Sequence, residues 1–165
     1  MRSSLCTLPQ KKNSKTGWLG IFLATVIISI SPSPARSISS EQDCLAKNVY
    51  FEARGEPRLD QVAVAHVTVN RAAARSFPRT VCGVVYQPGQ FSWTRDSISN
   101  VPRETRAWNR SLQIAQEVLS EQEADPTDGA MYFWNPHRVS PPWARRMVTT
   151  LRTASHAYAR PHRAS

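Results

Sequence analysis

Residues 43–73 read DCLAKNVYFEARGEPRLDQVAVAHVTVNRAA, and the reading of this stretch decides the fold. Leu45, Val49 and Ala53 recur at i, i+4 and i+8, which predicts a helix over 43–54 with Ser40 or Asp43 available as its cap. Gly55 follows where helices commonly end in the left-handed conformation. The run 60–73 is rich in β-branched residues, so a buried strand competes. It is too long for an ordinary strand and opens on Asp60, a further capping residue, so a helix is the better reading. Because it is apolar on nearly every side, this second helix belongs at the centre of a core.

The rest of the chain extends that reading. Residues 74–101 carry Pro78, Gly83, Pro88 and Gly89 without sustained periodicity, the pattern of a long working loop. Pro102 opens a third helix over 102–120, with Trp108, Leu112, Ala115 and Leu119 as its stripe. Residues 125–129 (DPTDG) form a turn, and 130–134 (AMYFW) a short strand or buried loop. After Pro141-Pro142, Trp143, Met147, Leu151, Ala154 and Tyr158 repeat at helical spacing and predict a last helix. The fold class is therefore mainly α with a small β element, in one domain over 43–165, after a short polar leader at 36–42.

Composition narrows the function. The chain has 165 residues, of which 41% are hydrophobic and 20% charged, enough for one core and not for two. The formal charge is +9, but Arg2, Lys11, Lys12 and Lys15 precede residue 36 with no acid among them, and removing them leaves +5. Those four cations, the 13-residue apolar run Trp18–Ile30 and the breakers Pro32 and Pro34 have the order of an export signal. The run is short for a hydrocarbon core of roughly 30 Å, so residues 1–35 read as a cleaved signal peptide ending at Ala35, with an uncleaved signal-anchor as the alternative. An exported chain is periplasmic or associated with the cell wall, and touches the membrane only through that signal. Cys6 lies in the discarded part, leaving Cys44 and Cys82 as an even pair in a compartment where disulfides persist, and they are expected to bond. Two buried free thiols are the alternative.

Glu52 stands in the last turn of the first helix, directly after the aromatic pair Tyr50-Phe51. A carboxyl shielded by Tyr50 or Phe51 has its charged form disfavoured, which moves its pKa toward the range of a general acid. A solvated helix carboxylate is the plainer reading of the same spacing. In the long loop, Gln90, Phe91 and Trp93 combine an amide with ring faces of the kind that hold sugars, as does Tyr132 further on, although such aromatics also serve to pack under a loop. Trp108 and Trp143, on helix stripes, belong to the core. Arg54 and Arg71 suit substrate carboxylates or the orientation of Glu52. His66, His137 and His156 with Glu52 could in principle ligate zinc, but no close ligand pair is present, and ordinary structural hydrogen bonds are expected of them. The remaining 17 cations, all Arg except Lys47, are scattered without a nucleic-acid motif, so no nucleic-acid partner is expected.

Six blocks carry a resemblance: Glu52-Ala53-Arg54-Gly55-Glu56-Pro57, Gln61-Val62-Ala63-Val64-Ala65, Val69-Asn70-Arg71, Phe77-Pro78, Val81-Cys82-Gly83-Val84-Val85-Tyr86-Gln87 and Gln90-Phe91-Ser92. In this order they resemble the cell-wall hydrolase family that includes the spore cortex-lytic enzymes, and the match extends from about Cys44 to Tyr158. The resemblance implies a lysozyme-like catalytic domain that binds peptidoglycan glycan strands and cleaves them as a lytic transglycosylase, without a cofactor, with Glu52 as catalytic acid. Glu52-Ala53-Arg54-Gly55 is also similar to the Glu-Ser-x-Gly signature of lytic transglycosylases, with Ala53 where Ser is usual. Glu56, Arg54, Arg71, Gln90, Phe91, Trp93 and Tyr132 are then the expected substrate-side residues, in a chain expected to act as a monomer. Two alternatives stay open: a zinc-dependent N-acetylmuramoyl-L-alanine amidase, and a wall-binding module without catalysis.

Overall fold

The computed structural model describes residues 39–95 and 100–162, all within the compact unit Arg36–Ser165. The proposed signal peptide and residues 36–38 of the leader lie outside the described residues, whereas residues 39–42, read from the sequence as leader, form the cap and the start of the first helix. Among the described residues no helix is long and apolar enough to cross a membrane.

The first helix, α1, spans Ser40–Ala53. Its cap is Ser39, whose hydroxyl accepts from the Gln42 amide at 3.1 Å, one residue upstream of the nearer candidate, Ser40. Asp43 instead sits in the first turn and pairs with Lys47 at 2.7 Å, an i,i+4 contact on the helix surface. Gly55 does not supply a left-handed stop, because the positive-φ glycines are Gly89 and Gly129. The helix ends because Pro57 has no amide hydrogen to donate and biases Glu56 away from helical dihedrals. Pro57 then becomes the N-cap of α2, Arg58–Ala73.

Helix α2 explains its own composition by lying between two cores. Val62 and Ala65, with Val69 and Ala72 beside them, join Cys44, Leu45, Val49, Val85, Ile114 and Val118 in a helical core. Ala63, Val64 and Val67 face a second cluster with Ala53, Ala130 and Tyr158. Burial on both sides is what made the sequence ambiguous between helix and strand. The long loop contains a short helix, α3, Val81–Val85, and a 3-10 turn, Ser92–Arg95. The Cys44–Cys82 disulfide, with Cα atoms 5.2 Å apart, bolts α3 to α1.

Helix α4 spans Thr105–Leu119, so Pro102 precedes it rather than opening it. Its buried stripe is Ala107, Ser111, Ile114, Ala115 and Val118, while Trp108 and Leu112 pack at the margin and Leu119 is exposed. The Tyr50 hydroxyl accepts from the Arg103 and Glu104 amides, each at 3.1 Å, and so fixes how the chain enters α4.

The last helix expected from the sequence is absent. Residues 142–146 form a 3-10 turn, followed by the strands β2, Val148–Arg152, and β3, Ala157–Arg160. With β1, Tyr132–Trp134, they make an antiparallel sheet in the order β1-β3-β2. The apolar spacing of 143, 147, 151, 154 and 158 is accidental. Val148, Thr149 and Thr150 favour extended backbone, and Thr153–His156 turns the chain back through side-chain hydrogen bonds. Tyr158 on the central strand is fully buried between Ala157 and Ala159.

Candidate active site

Glu52 is half-buried in the last turn of α1, beneath a loop that the aromatic rings hold in place. Phe51 stacks on Trp93 with centroids 4.7 Å apart and planes at 24°, so the 3-10 turn carrying Trp93 rests on the end of α1. The Trp93 indole N–H is buried and finds no acceptor within hydrogen-bond geometry among the described residues, yet it lies near enough to favour a charged Glu52. Burial raises the Glu52 pKa, opposed by the nearby charges of His156 and Arg71 and by that indole. The net direction is upward, as a proton donor requires.

Arg71, 7% exposed, comes from the last turn of α2 and joins three parts of the site. Its Nε donates to the Met131 carbonyl at 2.6 Å and its Nη1 to Gln90 Oε1 at 3.2 Å. The guanidinium lies 5.4 Å from the Phe77 ring centroid, 5.8 Å from Phe91 and 5.9 Å from Tyr132. Burial pushes its pKa down to about 10, which leaves it cationic at neutrality and able to act on Glu52.

Behind Glu52 the β2–β3 turn is anchored to the start of α2. Asp60 Oδ1 accepts from the Thr153 hydroxyl at 2.7 Å, the Tyr158 hydroxyl at 2.8 Å and His156 Nδ1 at 3.0 Å. Burial and the Asp60 carboxylate push the Tyr158 hydroxyl well above its ordinary pKa. Ser155 donates to Glu56 Oε2, and the Glu56 carbonyl accepts from Gln61 Nε2 at 2.7 Å.

The structure brings Glu52, Arg71, Trp93 and Tyr132 to one place, with Gln90 bound to Arg71 at the surface. Phe91 is only 3% exposed, so it supports the loop and Arg71 from below and offers no face to a sugar. Arg54 turns away from Glu52: it pairs with Glu104 at 2.9 Å, covers the Tyr50 ring at 5.0 Å and lines a separate cavity of about 390 Å³ with Val101 and Arg103. Trp143 is not core either. It is 37% exposed and packs between Tyr132 and Trp134, each at 5.4 Å.

Sequence reasoning took Asp60 for a cap and gave His156 only a structural hydrogen bond. The structure gives Asp60 three donors, and sets the hydrogen-bonded His156 close enough to Glu52 to oppose its protonation. The available signal was the donor-rich run Thr153-Ala154-Ser155-His156, which a helical reading spreads around an axis. His66 Nε2 meets the Glu123 carbonyl and His137 Nε2 the Ala154 carbonyl, both at 3.1 Å. Among the described residues no group of three or more His, Cys, Asp or Glu side chains is arranged to hold a metal ion.

The helices and the small antiparallel sheet make up a lysozyme-like domain. Residues 55–159 match the cell wall hydrolase family, and the chain belongs to it; the matched range begins three positions after Glu52. The chain is 41% identical to the spore cortex-lytic enzyme of Bacillus cereus over 101 residues, 60% of this chain and 36% of that protein. It is 35% identical to that of Bacillus subtilis over 116 residues, 69% of this chain and 35% of the relative. It thus spans about a third of the length of these relatives. Among solved structures it is similar to the catalytic domain of the germination-specific lytic transglycosylase SleB from Bacillus anthracis, with TM-score 0.61 and 30% identity, covering 78% of this chain and all of that one. The Bacillus cereus SleB catalytic domain matches with TM-score 0.59 and 30% identity, covering 76% and 94%.

Proposed function

We propose that this chain is an exported enzyme that degrades peptidoglycan, cutting the bond between N-acetylmuramic acid and N-acetylglucosamine as a lytic transglycosylase. The observation that carries the reading is Glu52: a half-buried carboxyl, shifted toward the protonated form, under an aromatic loop and beside Arg71. Protonated Glu52 donates its proton to the glycosidic oxygen as the bond to the muramic acid C1 breaks. The resulting carboxylate removes the proton of the muramic acid 6-hydroxyl as that oxygen bonds to C1, which closes a 1,6-anhydro ring and restores the acid. A hydrolase would use a second carboxylate about 5–9.5 Å away. Glu56 is bound to Ser155 and Asp60 Oδ1 accepts from three donors, which favours a single acid; Asp96, the other carboxyl that the sequence places in the long loop near Trp93, lies outside the described residues.

Tyr132, Trp93 and Gln90 offer ring faces and an amide to sugar rings along the loop. The basic balance suits an anionic wall polymer through steering. The experiment is mass spectrometry of muropeptides from digested peptidoglycan. Ends in 1,6-anhydromuramic acid support the proposal, reducing muramic acid ends would mean hydrolysis, and released stem peptides would mean amidase action.

A further inference from the structure

From Met131 to His162 the chain carries Arg138, Arg145, Arg146, Arg152 and Arg160 and not one Asp or Glu. Arg160 is paired with Asp128 at 3.0 Å, whereas Arg145 and Arg152 are exposed and form no ion pair among the described residues. Both line a cavity of about 300 Å³ with Trp134, Ser140 and Thr149. Its construction depends on a bulge in β2. Thr149 pairs with Ala159 and Leu151 with Tyr158, so two steps on β2 match one on β3. In a regular strand residues 149 and 152 would face opposite sides; the extra residue brings both to the cavity.

The cavity continues the candidate active site. Tyr132 and Trp134 share one side of β1, two residues or about 7 Å apart, and Trp143 bridges them, so an aromatic ridge runs from Arg71 to the mouth where Arg145 and Arg152 stand. An aromatic wall, two unpaired guanidinium groups and two hydroxyls select a ligand with carboxylates on a short polar chain. We propose that this cavity binds the carboxylates of the stem peptide borne by muramic acid while the glycan lies against Glu52. The proposal rests on the peptidoglycan reading and gives the enzyme a preference for strands that still carry stems.

The test is calorimetric binding of a soluble muropeptide, the same muropeptide with its carboxyls amidated, and peptide-free glycan to the full chain and to its R145Q/R152Q variant. At exposed sites each arginine contact is worth a few-fold, so the double variant should bind the muropeptide about three- to tenfold more weakly. Peptide-free glycan should bind both proteins equally, and amidation should cost the parent the same factor while leaving the variant unchanged. Equal losses for all ligands, unchanged muropeptide affinity in the variant, or no muropeptide binding by the parent would overturn the proposal. The cleavage reading is judged separately: muropeptide binding of the expected pattern, with no glycan cut by the parent, would sink that reading and leave the cavity assigned.

Discussion

His156 Nδ1 donates to Asp60 Oδ1 at 3.0 Å, across 96 positions of sequence, and so joins the sheet to the helix that follows Glu52. The same oxygen accepts from Thr153 and Tyr158. Asp60→Asn should therefore lower unfolding free energy by about 3 kcal/mol, because an amide oxygen replaces a buried charge-assisted acceptor and the amide NH₂ faces other donors. Urea denaturation with an unchanged slope checks it; a change below 0.5 kcal/mol, on the order of a typical surface substitution, would mean that the cluster is not structural.

Glu52 sets a pH dependence of stability. Its folded pKa is raised above the ordinary 4.5, so the native chain holds this proton more tightly than the unfolded chain. The stabilisation is full below the ordinary value and is lost as pH rises through the native one. Glu52→Gln cannot ionise, so it should gain stability relative to the parent at neutrality and gain none under acid conditions. Thermal unfolding at both pH values measures the difference.

Arg71 opposes the rise in the Glu52 pKa. Arg71→Gln should move the alkaline limb of the kcat/KM profile upward in pH, since the acid stays protonated longer, whereas Arg71→Lys, which keeps the charge, should return the limb toward its original position. A limb that ignores both substitutions would assign it to another group.

The Cys44–Cys82 bridge encloses a sequence separation of 38 residues, for which loop-closure entropy gives about 3–4 kcal/mol. Reduction should lower the denaturation midpoint accordingly. It should also loosen the loop carrying Trp93, read as faster amide exchange over residues 81–95.

Legibility in the sequence followed how local each determinant is. The helices α1 and α2 and the turn at 125–129 rest on short-range patterns, and the cysteine pair on an even count behind an export signal; the structure contains each of them. The C-terminal hairpin did not show itself because its strands are fixed by pairing with β1 and by Asp60, both distant in sequence, while its apolar spacing mimics a helix. The partial burial of Glu52 and the upward direction of its pKa were legible because aromatic residues adjoin it in the sequence. Asp60 and His156 were not, because their partnership exists only once the sheet has folded onto α2.

The most direct measurement of the central claim is the mass of the glycan products made by the parent and by Glu52→Gln from the same peptidoglycan. Disaccharide products should be one water lighter than hydrolysis products, matching a 1,6-anhydro ring, and the variant should form them about 10²–10⁴-fold more slowly while remaining folded. Products of full hydrolysis mass, or undiminished turnover in a folded Glu52→Gln protein, would contradict a lone glutamate acting as both acid and base.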